Sequence, residues 1–470
     1  MGQFGRITLV NGTYYAWRLD PHIDATHQVS TNIIPHTIAP GQTAEILLDF
    51  QQGLFTTRSD TQVRRVYKLE GTNKNCSFQL LVTDDPSSIR VTFDGFSTPG
   101  HPSGAEFDLG WVHDGSVHFI LSGSEGCFSS NHGPVAWMQE NLRKLGHRPL
   151  YQLCLPGTRN SGMSTLAQHS NDVLAPWLLC QSRDVYGQLL DGARYLDIRP
   201  VIGAGELWTG YYGRTLNYFW MGDRGQRLRD VVDGINRFTA RHKELVIVNL
   251  SHAINTDVGA TNYCDLSQNE WERVFDEFAR LNDRFIVFSD QDAMNLTRQP
   301  LRNFIGDDRA AVIIVVEAPN VNLGKYEHQG FFTHEEVNVH NDNPSRDDCH
   351  EMTRDQLRKL DIMDSAADPR LFMLSWTLTP QVQNFSFSGG WDAQWHGPES
   401  KRCVRNMAYS ANKELFLKCL PHCYGRNVPN ILFVDFLEGR DFAALAMAVN
   451  DRCFPVMQPR EPREPRESRL

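Results

Sequence analysis

The chain has 470 residues, of which 41% are hydrophobic and 22% charged, a composition typical of folded globular proteins and not of disordered or fibrous ones. At this length about two or three domains are expected. The formal net charge of −10 argues against nonspecific nucleic-acid binding, because no basic surplus is present to replace the counterions of a phosphate backbone.

The N-terminal part of the chain is rich in short strand-like runs that are separated by glycine, proline and Asp/Asn clusters. The predicted strands are Ile7–Val10, Ala44–Leu48, Phe78–Val82, Ile89–Phe93 and Val117–Leu121. No long helical period is present, so residues 1–125 are predicted to form a β-sandwich, followed by a polar linker over 126–140. The first ten residues lack the apolar segment of a secretory signal.

From residue 141 to 456 the pattern changes to strands that alternate with amphipathic helices, which is typical of a parallel α/β fold. Apolar residues at helical spacing precede the apolar strand Leu245–Leu250; they are Leu228, Val231, Val232, Ile235 and Phe238. Further strands are predicted at Ala193–Ile198, Ala311–Val316, Leu371–Leu374 and Ile431–Phe436, and helices near Ser267–Leu281, Thr353–Leu360 and Asp441–Val449. Continuous Val/Ile/Leu runs fit strands covered on both faces, so this part is predicted to be a TIM-like barrel.

The C-terminal residues, the longest uncharged stretch and the cysteines indicate the cellular location of the protein. Residues 457–470 repeat Pro-Arg-Glu without apolar groups, so they are predicted to form a disordered tail. The longest uncharged stretch, Leu371–Trp391, contains Pro380 and several amides and is not predicted to span a membrane. The ten cysteines form no dense framework, and Cys419 and Cys423 lack the second pair of a zinc site. We therefore expect free thiols and a cytoplasmic protein.

Three segments follow or end predicted strands with residues suited to binding an anion. They are Leu-Pro-Gly-Thr-Arg-Asn-Ser-Gly at 155–162, Gly-Ala-Arg-Tyr-Leu-Asp-Ile-Arg-Pro at 192–200 and Gly-Glu-Leu-Trp-Thr-Gly-Tyr-Tyr-Gly at 205–213. In barrels the C-terminal ends of the strands carry the site. Arginine binds phosphate or carboxylate, aspartate holds the arginine, and glycine allows close backbone approach, so an anion site is predicted there.

The first two segments resemble the Pro-Gly-Thr-His-Asn/Asp-Ser and Asp-Ile-Arg signatures of the phosphatidylinositol-specific phospholipase C (PI-PLC) X-type barrel, and the third resembles its Gly-His segment. The resemblance spans Gln152 to Ala253 and continues more weakly to residue 450, and the layout with an upstream β-domain is similar to fungal phospholipase-C-like proteins. It implies a phosphodiesterase in which one histidine deprotonates the inositol 2-hydroxyl and another protonates the leaving glycerol oxygen. It also implies that Arg199 takes the place of calcium, so no metal or cofactor is expected.

At the two positions where the resemblance implies histidine, this chain has Arg159 and Tyr211. Arginine keeps its proton up to a pKa above about 12, and tyrosine, near about 10, is poorly matched to neutral pH. Loss of each acid–base group costs about 10²- to 10⁴-fold in rate. By the resemblance Asp197, Arg199 and Asp435 remain, and Asp435, which stands where an aspartate would orient the missing base, is expected to pair with Arg159.

His252 is the best candidate for a replacement base, because it follows a predicted strand and the ordinary imidazole pKa of about 6.5 suits proton transfer. A purely structural histidine at a strand end is the alternative.

The residues predicted to contact the substrate are Thr158, Asn160, Trp208, Tyr212 and Trp376. Weaker histidine candidates are His169, His334 and His340. The aromatic run 211–221 is predicted to be either a lid over lipid tails or ordinary loop packing. Trp376, Trp391 and Trp395 either enclose the mouth or stabilise it.

Two classes of function stay open. The first is a divergent enzyme of the PI-PLC-like phosphoric diester hydrolase or lyase type. In such an enzyme, phosphoinositide cleavage is lost or weak, or it is carried out by substitute groups such as His252. A further possibility within this class is that the pocket performs lyase or cyclisation chemistry on another metabolite. The second is an inactive phosphoinositide-binding or scaffold protein. In both, the expected partner is a small anionic or lipid-like molecule, with peripheral membrane contact and no nucleic acid.

Overall fold

The computed structural model describes residues 3–454 except 24, 33, 52–57, 168–174, 216–218, 260–261, 295, 344, 366 and 381–402. The predicted tail, His169, Trp391 and Trp395 lie outside the described residues. The architecture is mixed α/β, with strands in the first part of the chain and alternating strands and helices in the second.

The N-terminal strands form two sheets. They are β1 (Gln3–Thr13), β2 (Trp17–Leu19), β3 (Ala25–His27), β4 (Val29–Thr31), β5 (Thr37–Ile38), β6 (Thr43–Phe50), β7 (Gln62–Leu69), β8 (Ser77–Asp84), β9 (Ser87–Asp94), β10 (Glu106–Asp108), β11 (Ser116–Gly123) and β12 (Ser129–Ser130). One sheet has the order β12-β11-β1-β6-β4, and the other has the order β10-β9-β8-β7-β2-β5 with β3 beside β7. In β8 buried positions alternate with half-buried ones, and Phe78 and Leu80 share a core with Leu9 and Phe119 of the other sheet. The strands predicted in this part are confirmed.

The remaining strands form a parallel sheet and a smaller one. They are β13 (Leu155–Thr158), β14 (Tyr195–Ile198), β15 (Pro200–Gly203), β16 (Glu206–Thr215), β17 (Phe219–Arg227), β18 (Leu245–Leu250), β19 (Ile254–Asn255), β20 (Ala311–Val316), β21 (Phe331–Thr333), β22 (Val339–Asn341), β23 (Leu371–Ser375) and β24 (Ile431–Val434). Eight strands pair in the order β21-β20-β18-β14-β13-β24-β23-β22, and every recorded pair is parallel. The smaller sheet, β17-β16-β15-β19, contains the long β16–β17 hairpin.

The helices are α1 (Trp137–Glu140), α2 (Leu142–Leu145), α3 (Ala175–Leu178), α4 (Val185–Leu190), α5 (Leu228–Thr239), α6 (Gln268–Phe278), α7 (Asp290–Ala293), α8 (Leu301–Ile305), α9 (Cys349–Ile362), α10 (Val404–His422) and α11 (Asp441–Cys453). Short 3₁₀ turns lie at Pro21–Ile23, Arg58–Asp60, Leu150–Gln152, Leu296–Arg298 and Gly324–Tyr326. The predicted helices are confirmed as α5, α6, α9 and α11. Among the described helices, none combines the length and the apolarity that crossing a bilayer requires.

Both faces of the parallel sheet are buried, which explains its continuous apolar strands. In β18, Leu245 and Ile247 belong to one apolar cluster, whereas Val246, Val248 and Leu250 belong to a second cluster that includes the α5 side chains. Because alternate residues of one strand point to opposite faces, the sheet has an apolar layer on each side and curves around one of them.

The N-terminal sheets pack directly on helices of the second part. Val10 and Ile120 belong to the same apolar cluster as residues of α10 and α11, and Lys413 lies 3.0 Å from Glu45 across the junction. The predicted linker, residues 126–140, contains β12 and α1 and is therefore an ordered part of this junction. The division into separate domains stays a prediction.

Asp441 at the start of α11 gives this junction a pH dependence. Burial raises the pKa of its carboxyl to about 6, against the opposing effects of the Asn131 hydrogen bond and Arg440. An unfolded aspartate has a pKa of about 3.9, so between about pH 4 and pH 6 only the folded state holds this proton, and stability falls as the pH rises. We expect Asp441→Asn to become progressively more stable than the natural chain over that interval, as measured by urea unfolding. A difference that does not change with pH would contradict this assignment.

Candidate active site

Several of the predicted site residues lie at the carboxyl ends of the parallel strands, where the chain is locally strained. Asn160 after β13, His252 after β18 and Phe436 after β24 have left-handed φ values of 45°, 50° and 49°. Such backbone conformations cost about 1–3 kcal/mol each in residues other than glycine, and they persist where the surroundings hold them. They cluster at functional sites in proteins generally, and here all three lie at one edge of the sheet.

Arg159 forms the predicted ion pair with Asp435 and leaves no guanidinium nitrogen unpaired. Its Nε donates to Asp435 Oδ1 at 2.9 Å, and Nη2 lies 2.7 Å from Oδ2. Nη1 donates to the Thr379 hydroxyl and Nη2 to the Leu378 carbonyl, both at 3.3 Å. Burial alone would lower the pKa of Arg159, but Asp435 outweighs it and raises that pKa. Arg159 is therefore permanently charged, and the carboxylate of Asp435 neutralises its charge.

Asp197 connects three strand ends through its two carboxylate oxygens. Oδ2 accepts the Asn160 backbone N–H at 3.0 Å and Arg199 Nε at 3.1 Å, and Oδ1 accepts the Ser251 hydroxyl at 2.6 Å. Burial alone would raise the pKa of Asp197, but the charges of Arg199 and His252 and the hydrogen bonds from Ser251 and Asn160 lower it. Asp197 is therefore ionised at neutral pH.

Arg199 is the cation with free donors at this edge. Among the described contacts only its Nε is used, and its side chain remains 15% exposed. The guanidinium carbon lies 5.6 Å from the centre of the Tyr211 ring. Burial raises the pKa of Tyr211 against the opposing effects of Arg159 and Arg199, so the phenol keeps its proton at neutral pH. The two Nη groups of Arg199 remain available for an anion.

His252 lies beside this arginine and has an exposed side chain. Its Nδ1 is 2.9 Å from the Ser251 hydroxyl oxygen. The positive charge of Arg199 lowers the pKa of His252, against the opposing charges of Asp197 and Glu317. The imidazole is therefore neutral at pH 7 and able to accept a proton.

Thr158 and Asn160 are buried beneath this edge. The Thr158 hydroxyl is 2.8 Å from the Ser161 hydroxyl, and the Asn160 side-chain amide donates to the Cys180 sulfur at 3.4 Å. Asn160 Oδ1 is buried without a hydrogen-bond partner among the described residues. Thr158 thus supports the β13 loop, and Asn160 supports it while offering one unused acceptor.

Trp208 and Tyr212 lie on the β16–β17 hairpin away from the Arg199–Tyr211 contact. The Trp208 ring packs between two guanidinium groups, with Arg224 at 5.1 Å and Arg227 at 4.5 Å from its centre. Tyr212 meets Tyr263 edge to face, with ring centres 5.7 Å apart. The structure therefore brings Tyr211 into the cluster of charged residues but places these two aromatic side chains in contacts of their own.

The prediction that Trp376 contacts the substrate needs correction. Its side chain is 0% exposed within the apolar core, and its indole N–H donates to the Ala411 carbonyl of α10 at 2.6 Å. A tryptophan enclosed in this way stabilises the packing of β23 on α10 and offers no surface to a ligand.

The two weaker histidine candidates lie on other strands of the parallel sheet, after β21 and on β22. His334 lines a cavity of about 150 Å³ with Glu317 and Glu335 at the ends of β20 and β21, and His340 on β22 is 3.3 Å from Arg370. Among the described residues, no group of three or more His, Cys, Asp or Glu side chains is arranged to hold a metal ion.

Sequence reasoning missed Ser251 and Gln181. Ser251 follows β18 directly, so the strand-end rule that selected His252 applied to it equally. Gln181 donates to the Arg159 carbonyl at 2.9 Å and accepts the Leu437 N–H at 3.1 Å, which ties the β13 and β24 loops together. It lies in an irregular segment with no motif, so no sequence signal indicated this role.

Comparisons with known proteins agree with the motif resemblance. No family model matches the chain. A PI-PLC X-box domain-containing protein of Dictyostelium discoideum is 27% identical over 133 residues, which cover 26% of this chain and 17% of that protein's length. The predicted PI-PLC X-domain resemblance is confirmed. The chain thus spans less than a fifth of this X-box relative.

Solved structures of bacterial PI-PLC enzymes are also similar to this X-domain-like chain. A mutant of the Staphylococcus aureus phosphatidylinositol-specific phospholipase C is 14% identical, with a TM-score of 0.43 over 68% of this chain and 98% of that one. The Listeria monocytogenes phosphatidylinositol-specific phospholipase C is 16% identical, with a TM-score of 0.42 over 68% of this chain and 100% of that one.

Proposed function

We propose that the chain is a divergent PI-PLC-like enzyme that binds a small anionic or lipid-like substrate at Arg199 without a metal. The observation that carries this proposal is the position of Arg199, whose Nε is held by Asp197 while both Nη groups stay free between Tyr211 and His252. A planar guanidinium with two free N–H edges binds phosphate or carboxylate in a bidentate manner.

Phosphoinositide cleavage of the usual kind is weak or lost in this proposal. Arg159 occupies the position of the expected base, keeps its proton and is fully engaged with Asp435. The charges of Arg159, Asp435, Asp197 and Arg199 cancel, so the site holds an anion through the free edge of Arg199 and not through a large cationic excess.

His252 and Tyr211 provide the remaining acid–base groups. His252 is neutral and accepts a proton, and Tyr211 keeps its proton and donates it to a leaving group. Such a pair suits a lyase or cyclisation step on an anionic metabolite, in which one proton is removed and another delivered. Phosphodiester cleavage through the same pair is the second reaction that this arrangement allows.

Binding of soluble glycerophosphoinositol tests the anion site. We expect Arg199→Met to weaken its affinity about 10- to 100-fold, because charge-assisted hydrogen bonds contribute about 1.5–3 kcal/mol. Isothermal titration calorimetry measures this change. The matched control is Arg227→Met, since Arg227 packs on Trp208 and pairs with Glu206. Equal affinity of the Arg199 variant and the natural chain would contradict the proposed anion site.

An inactive binding or scaffold protein is the alternative, and the closed Arg159–Asp435 pair favours it because such a pair persists as structure without any catalysis. Phosphatidylinositol vesicles separate the two. Slow release of water-soluble product that disappears in His252→Gln supports the enzyme that keeps phosphodiester cleavage. Headgroup binding without product, combined with no turnover of other anionic metabolites, supports the alternative.

The proposal extends to the architecture. The two N-terminal sheets form a β-sandwich over residues 1–125, and residues 141–456 form a TIM-type barrel whose mouth makes peripheral contact with a membrane. The ten cysteines are all free thiols, which supports a cytoplasmic location because disulfides are rare in reducing compartments.

A further inference from the structure

Ser251 bridges the two ionisable groups on either side of it. Its hydroxyl oxygen lies 2.6 Å from Asp197 Oδ1 and 2.9 Å from His252 Nδ1. Ser251 is 1% exposed and Asp197 is 4% exposed, so water is excluded from the hydrogen bond between these two side chains. The three side chains form a continuous chain of hydrogen bonds from the buried carboxylate to the exposed imidazole.

The direction of each hydrogen bond follows from counting protons. A serine hydroxyl has one proton, and an ionised carboxylate only accepts hydrogen bonds. The Ser251 proton therefore goes to Asp197, and the bond to His252 requires a proton on Nδ1 that is donated to the serine oxygen. A neutral imidazole has a proton on only one nitrogen, so Nε2 keeps its lone pair.

We propose that Ser251 is a positioning residue that holds His252 in the Nδ1–H tautomer, so that Nε2 serves as the proton acceptor at the mouth of the sheet. This inference rests on the proposed role of His252 as the base. Asp197 then has two tasks, because Oδ2 holds the anion-binding Arg199 while Oδ1 orients the base through Ser251. Anion binding and proton transfer depend on one carboxylate.

The proton balance of the step is simple. Nε2 forms a bond to a proton from a substrate O–H or C–H, and the electron pair of that broken bond stays on the substrate atom. The imidazolium that forms donates from Nδ1 to Ser251, and the negative charge of Asp197 stabilises it through the serine hydroxyl. The backbone of His252 is left-handed, with φ of 50°, a conformation that persists in residues other than glycine where the surroundings hold it.

Nitrogen NMR of the histidine rings tests this inference without any substrate. Full-length protein labelled with ¹⁵N-histidine is compared at neutral pH with His252→Gln, whose missing signals identify His252. We expect Nδ1–H in the natural chain, the same tautomer in Ser251→Thr, which keeps the hydroxyl, and a shift toward Nε2–H or a mixture in Ser251→Ala. An Nε2–H ring in the natural chain would overturn the inference even if Ser251→Ala failed to fold. An unchanged Nδ1–H ring in Ser251→Ala would overturn it as well.

Turnover measurements separate this inference from the function it rests on. If the tautomer depends on Ser251 but His252→Gln leaves turnover unchanged, the role of His252 as base is wrong and the structural assignment of Ser251 stands. If turnover depends on His252 but not on the Ser251 hydroxyl, with Ser251→Ala as active as Ser251→Thr, then Ser251 does not position the base.

Discussion

Replacing Glu244 with glutamine is expected to lower the free energy of unfolding by about 3–5 kcal/mol, because it leaves a fully buried guanidinium without a counter-charge. Arg194 just before β14 and Glu244 just before β18 are both 0% exposed, with Nε and Nη2 of Arg194 each 2.8 Å from Glu244 Oε2. The guanidinium also lies between the rings of Trp137 and Phe238, at 5.6 and 4.9 Å from their centres.

The Glu244 carboxylate also binds the backbone of helix α1. Glu244 accepts the backbone N–H groups of Met138 and Gln139 at 3.2 and 2.7 Å, so it orders α1 at the edge of the sheet opposite the site. Glutamine keeps one acceptor but loses the charge, and its amide NH₂ group must face one of these donors, so the variant removes the charge together with a hydrogen bond.

Urea unfolding followed by circular dichroism measures the loss. Glu351→Gln is the matched control, because Glu351 pairs with Arg346 on the surface, where both side chains are about half exposed. Exposed pairs contribute about 0–1 kcal/mol, so this control should change little. A Glu244 variant that unfolds at the same urea concentration as the control would show that the buried pair is not needed.

Much of the fold is predictable because a strand that is buried on both faces consists almost entirely of apolar residues. Strands such as Leu245–Leu250 and Ala311–Val316 are continuous apolar runs, and α5 has a single apolar stripe, so periodicity identified them. The N-terminal strands had the same advantage, since turn residues separate them at short intervals.

Other elements were not predictable for a physical reason. The long helix α10 packs against the N-terminal sheets on one side and the parallel sheet on the other, so it lacks a single polar face and contains Pro421 near its end. The sequence does not predict the β16–β17 hairpin, because glycines interrupt its alternation. Trp376 was placed at the mouth because strand-end position alone does not say whether a side chain points to solvent or to a helix.

The sequence predicts which residues form the candidate site better than it predicts which of their charges are neutralised. Motif spacing selected Arg159, Asp197, Arg199 and Asp435, and all four lie at one edge of the sheet. Which arginine remains free depends on hydrogen bonds to residues that no motif contains, such as the Leu378 carbonyl on Arg159. Long-range partners of this kind are visible only in three dimensions.

Introducing the two histidines that the PI-PLC resemblance implies is expected to create phosphatidylinositol cleavage. In Arg159→His/Tyr211→His, Asp435 would hold the first imidazole as it now holds the guanidinium at 2.9 Å, and Arg199 would bind the phosphate beside the second. Each working acid–base group contributes about 10²- to 10⁴-fold in rate, so the double variant should exceed the natural chain by at least about 10²-fold.

The release of water-soluble inositol phosphate from phosphatidylinositol vesicles measures this gain, and each single variant serves as a control that should gain far less, because base and acid act in the same step. Adding Arg199→Met to the double variant should remove the gain, since the phosphate would lose its bidentate donor. If the natural chain already cleaves as fast as the double variant, Arg159 and Tyr211 do not silence the phosphodiesterase reaction, and the expected gain is wrong. If neither protein cleaves while Arg199 still binds glycerophosphoinositol, the pocket keeps the anion site of the family but not the geometry of its chemistry, which favours a different substrate over a dormant phospholipase.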